Sequence, residues 1–124
     1  MCSLEISTLE HTWLIDLDGT VVKHNGYKIY GKDVLLDGAL DFLNNIPQND
    51  KIIFLTSRKN EFSQMTEDFL AENNIKYDKI IYELPYGERI LINDNKPSGL
   101  TMGYAINKER DSALSIEINE NCDL

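Results

Sequence analysis

Basic residues are scarce in this chain. Twelve lysines and arginines face 21 aspartates and glutamates, giving a net charge of −9. Such a surface repels nucleic-acid backbones and acidic membranes, and no local basic patch offsets it, so neither partner is expected. No run of about eighteen apolar residues occurs, which argues against a membrane-spanning helix. Residues 1–7 carry no basic stretch followed by an apolar one, so no secretory leader is expected. Cysteine is nearly absent: Cys2 and Cys122 sit near opposite ends and are expected as unpaired thiols in a reducing cytosol. No repeats, low-complexity tract or linker break the chain, and 124 residues suit one domain over 1–124 with a single core.

What is present is a pattern of short apolar runs that end in polar groups. Thr12-Trp13-Leu14-Ile15 reads as a buried strand and passes directly into Asp16-Leu17-Asp18-Gly19-Thr20. Two carboxylates beside apolar residues repel one another unless a charge offsets them, and a divalent cation is the usual compensation. Asn25-Gly26, between alternating apolar and polar positions, predicts a β-hairpin flap over about 20–36. Tyr27 and Tyr30 on this flap are placed to touch a substrate. A helix over about 38–46 follows, capped by Asp37 and stopped by Pro47. Lys51–Leu55 forms a second buried strand ending in Thr56-Ser57-Arg58, and a helix spans about 61–73 up to Asn73-Asn74. Further strands are predicted at 79–82, at 89–92 before Asn93-Asp94-Asn95-Lys96-Pro97, and at 101–106. The acidic tail, about 108–124, alternates over Ala113–Ile118 and fits an edge strand, a partner-facing segment or partial disorder. Strands alternating with helices predict an α/β fold, a Rossmann-like three-layer sandwich with a mostly parallel sheet.

In an open parallel sheet, ligands bind beyond the carboxyl ends of the strands. The first strand delivers Asp16 and Asp18 there, the second Thr56, and the fourth Asp94. Three carboxylates in one crevice make a hard-oxygen site for Mg²⁺, and no histidine or cysteine in these loops points to zinc. Asp16 and Asp18, two apart on an extended strand, lie roughly 6–7 Å apart at ~3.3 Å per residue. A turn after Asp16 lets Asp16 act as nucleophile while Asp18 protonates the leaving alcohol and then activates water. Thr56 is expected to bind a phosphoryl oxygen. Backbone groups at Leu17, Gly19 and Thr20, with Ser57 and Arg58, are expected to cradle the anion.

Asp16-Leu17-Asp18-Gly19-Thr20 resembles the first motif of the haloacid dehalogenase superfamily of aspartate-nucleophile phosphatases. Thr56 resembles the second motif and Asn93-Asp94 the acidic fourth; the ordered set spans residues 12–97. The resemblance implies Mg²⁺-dependent phosphomonoester hydrolysis, with the metal held by Asp16, Asp18 (through its backbone carbonyl) and Asp94. The run Ile92–Pro97 is also similar to small capsule- and sugar-biosynthesis phosphatases of that superfamily, which implies a sugar phosphate or nucleotide-sugar substrate. About sixteen residues between Thr20 and Asp37 leave room for a flap but no large cap, so the site is expected to be open to a large substrate or roofed by another subunit.

The superfamily's third-motif cation has no counterpart in residues 83–88. Lys79 and Arg89 stand at predicted strand starts, at the wrong end of the sheet, which leaves Lys96 and Arg58 as the expected substitutes. Only six residues join Tyr82 to Arg89, where a parallel crossover usually needs a dozen. If the fourth strand were antiparallel, Asp94 would leave the site. Two other readings are a receiver-like phospho-aspartate domain and a catalytically inactive scaffold of the same superfamily. The first lacks an acceptor aspartate at a middle strand end, and the missing cation keeps the second open.

Overall fold

The structure, a computed structural model, describes residues 2–124 apart from the Cys2 side chain. Its elements run β1 (Cys2–Ile6), β2 (Thr12–Asp16), α1 (Gly26–Ile29), α2 (Ala39–Asn44), β3 (Lys51–Leu55), a 3₁₀ turn (Asn60–Phe62), α3 (Ser63–Glu72), β4 (Lys79–Ile81) and β5 (Ile116–Glu120). β2, β3 and β4 form a parallel sheet in that order, and β1 pairs in parallel with β5 in a second, two-stranded sheet. The fold is α/β with parallel sheets, as the alternation of elements predicts, although its helices are short.

Register in the larger sheet pairs Asp16 with Leu55, so the ends of β2 and β3 lie side by side. Leu17 N–H extends the pairing by donating to Leu55 O, and Thr56 N–H does the same to Ile81 O. The start of β2 is pinned by Asp50, buried, whose carboxylate accepts from His11 N–H (3.1 Å) and Trp13 Nε1 (2.9 Å). His11 is therefore half-buried beside Asp50 and not a free surface residue. Ile15, Leu17, Leu43, Ile52, Phe54 and Leu70 form the centre of the core. Trp13 meets Phe42 of α2 edge-on, with ring centroids 5.9 Å apart.

α3 buries Thr66 and Leu70, one turn apart, and ends as the sequence suggests. Asn74 adopts a left-handed conformation (φ 55°), Ile75 N–H bonds Leu70 O, and Asn74 N–H bonds Ala71 O. This is the double closure of a Schellman cap, with Ile75 buried against the helix it ends.

Three expectations are corrected. The flap is not an Asn-Gly hairpin: Asn25 (φ 56°) leads into the short helix α1, and the antiparallel contact lies lower, at Val22–Leu35. Asp37 does not cap α2; Gly38 does, in a left-handed conformation and without a side-chain bond. Residues 89–92 and 101–106 are not strands, and no helix or strand forms between β4 and β5. The cause lies just after β4, where Glu83 N–H bonds Arg58 O and Leu84 N–H bonds Thr56 O. These bonds hold the chain across the carboxyl ends of the sheet, and six residues are too few to return it to the other end for a parallel strand.

The tail becomes ordered through Leu114, which is buried and donates its N–H to Asp37 O. Gly38 (φ +78°) lies under it, and a Cβ there would stand 2.6 Å from Leu114 O. Gly38→Ala combines strained φ with a backbone clash and is expected to cost about 2–3 kcal/mol, read as a lowered midpoint in chemical denaturation.

Candidate active site

After Asp16 the chain reverses within four residues. Leu17 O accepts from the N–H groups of Val21 (3.0 Å) and Val22 (3.1 Å), and Gly19 N–H donates to Val22 O at 2.7 Å. Gly19 carries φ +83°, and its missing side chain lets Arg110 Cγ lie 3.2 Å from where a Cβ would be. Its carbonyl accepts from Lys108 Nζ (3.0 Å) and Asp111 N–H (2.9 Å). The turn thus keeps Asp16 and Asp18 at the same end of the sheet and draws two cations of the tail toward them.

Asp18 is held by the loop after β3. Its Oδ1 accepts from Arg58 Nε (3.0 Å) and Nη2 (2.9 Å), and its Oδ2 from Thr56 Oγ1 (2.7 Å). The Arg58 side chain is 1% exposed, and its far edge meets Asp33, also 1% exposed, in a bidentate pair of 2.7 and 2.9 Å. Thr66 of α3 accepts a further bond from Nη1 (2.9 Å), and the Tyr27 ring lies beneath the guanidinium at 4.1 Å. Burial alone would lower the Arg58 pKa; its bonds to Asp33 and Asp18 more than reverse that, so it stays charged.

Asp16 is more open, with its side chain 36% exposed. Thr20 Oγ1 donates to its Oδ2 (3.1 Å) and Arg89 Nη1 to its Oδ1 (3.1 Å). Partial burial, first of all, raises its carboxyl above the ordinary aspartate pKa. The Thr20 bond and the Arg89 charge pull it back, and Asp18 adds to the rise. Burial likewise lowers the Lys108 ammonium, while Asp111 and Asp16 oppose that change.

The expected site residues divide accordingly. Asp18 and Thr56 are joined to each other and to Arg58, Asp16 and Thr20 bond each other on the same turn, and Ser57 is half-buried beside Arg58. Arg58 belongs to the site but is committed to two carboxylates, so it is a support and not a free phosphate ligand. The N–H groups of Leu17 and Gly19 are spent on Leu55 and Val22, which removes them from the anion cradle. Tyr27 packs under Arg58 and against Phe62, not at an open surface. Lys96 lies exposed in a turn closed by Gly99 N–H on its carbonyl, and the cation at Asp16 is Arg89 instead. Arg89 escapes sequence reasoning because a strand over 89–92 puts it at the wrong end of the sheet. The six-residue link from Tyr82 was the signal that it stays near the carboxyl ends. Lys108 and Arg110 had no sequence signal, since both lie in the polar tail.

Asp16, Asp18 and Asp94 are the residues expected to hold Mg²⁺. Among the described residues no three histidine, cysteine, aspartate or glutamate side chains gather as a metal-holding group. Asp94 is exposed in the stretch after Ile92, and the Asp16 and Asp18 oxygens already receive arginine and threonine donors.

No family model matches the chain, and no curated protein matches it. Two solved chains are similar to it. One, from the Pnkp1/Rnl/Hen1 complex, is 30% identical over 68% of this chain and 32% of its own length, with a TM-score of 0.52. The other, from the Pnkp1/Rnl/Hen1 RNA repair complex, is 28% identical over 72% of this chain and 30% of its own, also with a TM-score of 0.52. The chain therefore spans about a third of the length of the solved chains it matches.

Three measurements test this electrostatic arrangement. Asp33→Ala leaves a buried guanidinium half-paired and is expected to cost about 3–5 kcal/mol in denaturant unfolding, whereas an added Arg58→Met recovers part of the loss. Asp16, with its folded pKa above the unfolded one, favours folding at acid pH and loses that contribution as pH rises through the folded pKa. Asp16→Asn is thus expected to raise the melting temperature at neutral pH. In NMR titration Arg89→Ala is expected to move the Asp16 midpoint further up.

Proposed function

We propose that the chain is a phosphomonoester hydrolase that works through an aspartyl-phosphate on Asp16. The observation that carries this reading is the unequal treatment of two neighbouring carboxylates. Asp18 is locked by Arg58 and Thr56, whereas Asp16 is partly open and faced by Arg89, with Lys108 close by.

A dianionic phosphate approaching Asp16 meets a carboxylate, and the Arg89 and Lys108 charges offset that repulsion. Asp16 attacks phosphorus, the bond to the leaving oxygen breaks, and that oxygen takes up a proton. Asp18 is placed to carry the proton: a carboxylate has about four lone-pair positions, and three are occupied by Arg58 and Thr56. The remaining position, on Oδ2, holds the acid hydrogen with which Asp18 enters the cycle; it passes to the leaving oxygen, and the carboxylate so formed takes a proton back from the attacking water. Water then displaces phosphate and restores the Asp16 carboxylate. Arg58 stays fixed throughout and gives Asp18 its orientation.

The substrate class we favour is a small phosphomonoester, such as the sugar phosphate or nucleotide-sugar phosphate of a polysaccharide pathway like capsule biosynthesis, consistent with the net charge of −9. A second reading, a phosphorylated RNA end, draws support from the RNA repair complex to which one similar solved chain belongs. The free exposed thiol of Cys122 suits a cytoplasmic setting, and among the described residues no helix is long and apolar enough to cross a membrane.

A phosphate-release assay over p-nitrophenyl phosphate, sugar phosphates, nucleotides and short RNAs bearing a 3′ or 5′ phosphate tests both readings. Asp16→Asn is expected to abolish turnover, and Arg89→Ala to reduce kcat/KM by about 10²-fold. Undiminished turnover in Asp16→Asn overturns the mechanism. A preference for RNA ends that weakens steeply with salt replaces the first substrate class with the second. An adduct from acetyl phosphate that persists without turnover favours a receiver-like domain instead.

A further inference from the structure

We propose that Arg110 receives a second anionic group of the substrate, so that the leaving alcohol is one that itself carries a phosphate. The identity of the leaving group rests on the hydrolase reading above; the anion subsite does not.

The tail turn at 108–111 is fastened to the segment after β2 at several points. Gly19 O accepts from Asp111 N–H (2.9 Å) and from Lys108 Nζ (3.0 Å), and Asp111 Oδ1 accepts from His24 N–H at 2.7 Å. The turn also closes on itself, since Glu109 O accepts from Ser112 N–H (3.2 Å) and from the Ser112 hydroxyl (2.7 Å). Asp111 holds a left-handed φ of 62°, which is costly for a residue with a side chain, and its bonds to Gly19 and His24 offset that cost. A backbone tied in this way is ordered before any ligand arrives, so a side chain carried on it binds without that entropic loss.

Arg110 sits between the two fastened residues. Its stem lies on the Gly19 turn, with Cγ 3.2 Å from where a Gly19 Cβ would stand. The residue is exposed, and among the described residues neither its guanidinium nor the Lys108 ammonium pairs with a carboxylate. Neighbouring Asp111 is engaged by His24 N–H, and Glu109 meets the turn through its carbonyl. The Arg110 charge is therefore open to an anion from outside.

Position separates it from the reacting phosphate. Arg89 bonds Asp16 and lowers its carboxyl pKa, and Asp16 in turn acts on Lys108; Arg110 is not among the groups that shift Asp16. Arg110 overlies Gly19 instead, the residue directly after Asp18, which serves the leaving oxygen. A phosphoryl group at Asp16 thus has Arg89 and Lys108 beside it, and a leaving group running along the Gly19 turn passes Arg110. A planar guanidinium takes a phosphate with two parallel N–H bonds, and in a chain of net charge −9 such local cations must supply the attraction for a doubly phosphorylated substrate. A sugar bisphosphate and a nucleotide phosphorylated at two positions share this chemistry.

Calorimetry on the Asp16→Asn chain reads binding without turnover. The probes are adenosine 3′,5′-bisphosphate against the two adenosine monophosphates, and fructose 1,6-bisphosphate against the two fructose monophosphates. In at least one series the bisphosphate is expected to bind about tenfold more tightly than its monophosphates. Arg110→Gln is expected to remove that gain and Arg110→Lys to keep part of it. Lys76→Gln, an exposed site between α3 and β4 at the opposite end of the sheet, is expected to leave it in place. The series that shows the gain identifies the leaving group as nucleoside or sugar. Equal affinities within both series, or a gain that survives Arg110→Gln, overturn the subsite. An Arg110-dependent gain without phosphate release by the wild-type chain leaves the subsite standing and counts against the hydrolase reading alone.

Discussion

A buried guanidinium is the constraint from which the site follows. Removing a charge from water costs several kcal/mol unless its donors are met, and Arg58 is met on every side. Asp33 takes one edge and Asp18 the other, Thr66 accepts at a corner, and Tyr27 lies beneath. These partners come from the segment after α1, the turn after β2, the helix α3 and α1 itself. The flap, the turn after β2 and α3 are therefore fixed to the β3 end by one side chain. Asp18 owes its position to the same contact.

The arrangement also explains how two acids coexist two residues apart. Each has its own cation: Arg58 serves Asp18 from inside, and Arg89 serves Asp16 from the rim. Because the inner pair is shielded from water and the outer pair is not, Asp18 is held firmly while Asp16 stays accessible. The difference in exposure, 18% for the Asp18 side chain against 36% for that of Asp16, thus leaves Asp16 the more open of the two.

Much of this was legible in the residues, for definite reasons. Asp16-Leu17-Asp18-Gly19-Thr20 after an apolar strand announces a strand end followed by a tight turn, and Thr56 after Lys51–Leu55 announces its neighbour. Asn73-Asn74 marks a helix end because asparagine tolerates the left-handed conformation. What failed were inferences from local pattern where distant contacts decide. Asn25-Gly26 has the composition of a hairpin tip, but Tyr27 is drawn under Arg58, and the turn winds into α1. Arg89-Ile90-Leu91-Ile92 has the composition of a strand, but the bonds from Glu83 and Leu84 hold the chain across the sheet ends. β1 carries too few apolar residues to declare itself, and its partner β5 lies at the far end of the sequence.

That last pairing has a consequence for how the molecule comes into being. Cys2–Ile6 can acquire its hydrogen-bond partner only once Ile116–Glu120 exists, and Leu114, two residues before β5, packs over Gly38. During synthesis Cys2–Ile6 is made long before Ile116–Glu120 and remains an unpaired β-edge until that partner arrives. Until the two meet, that unpaired edge is open to association with other chains.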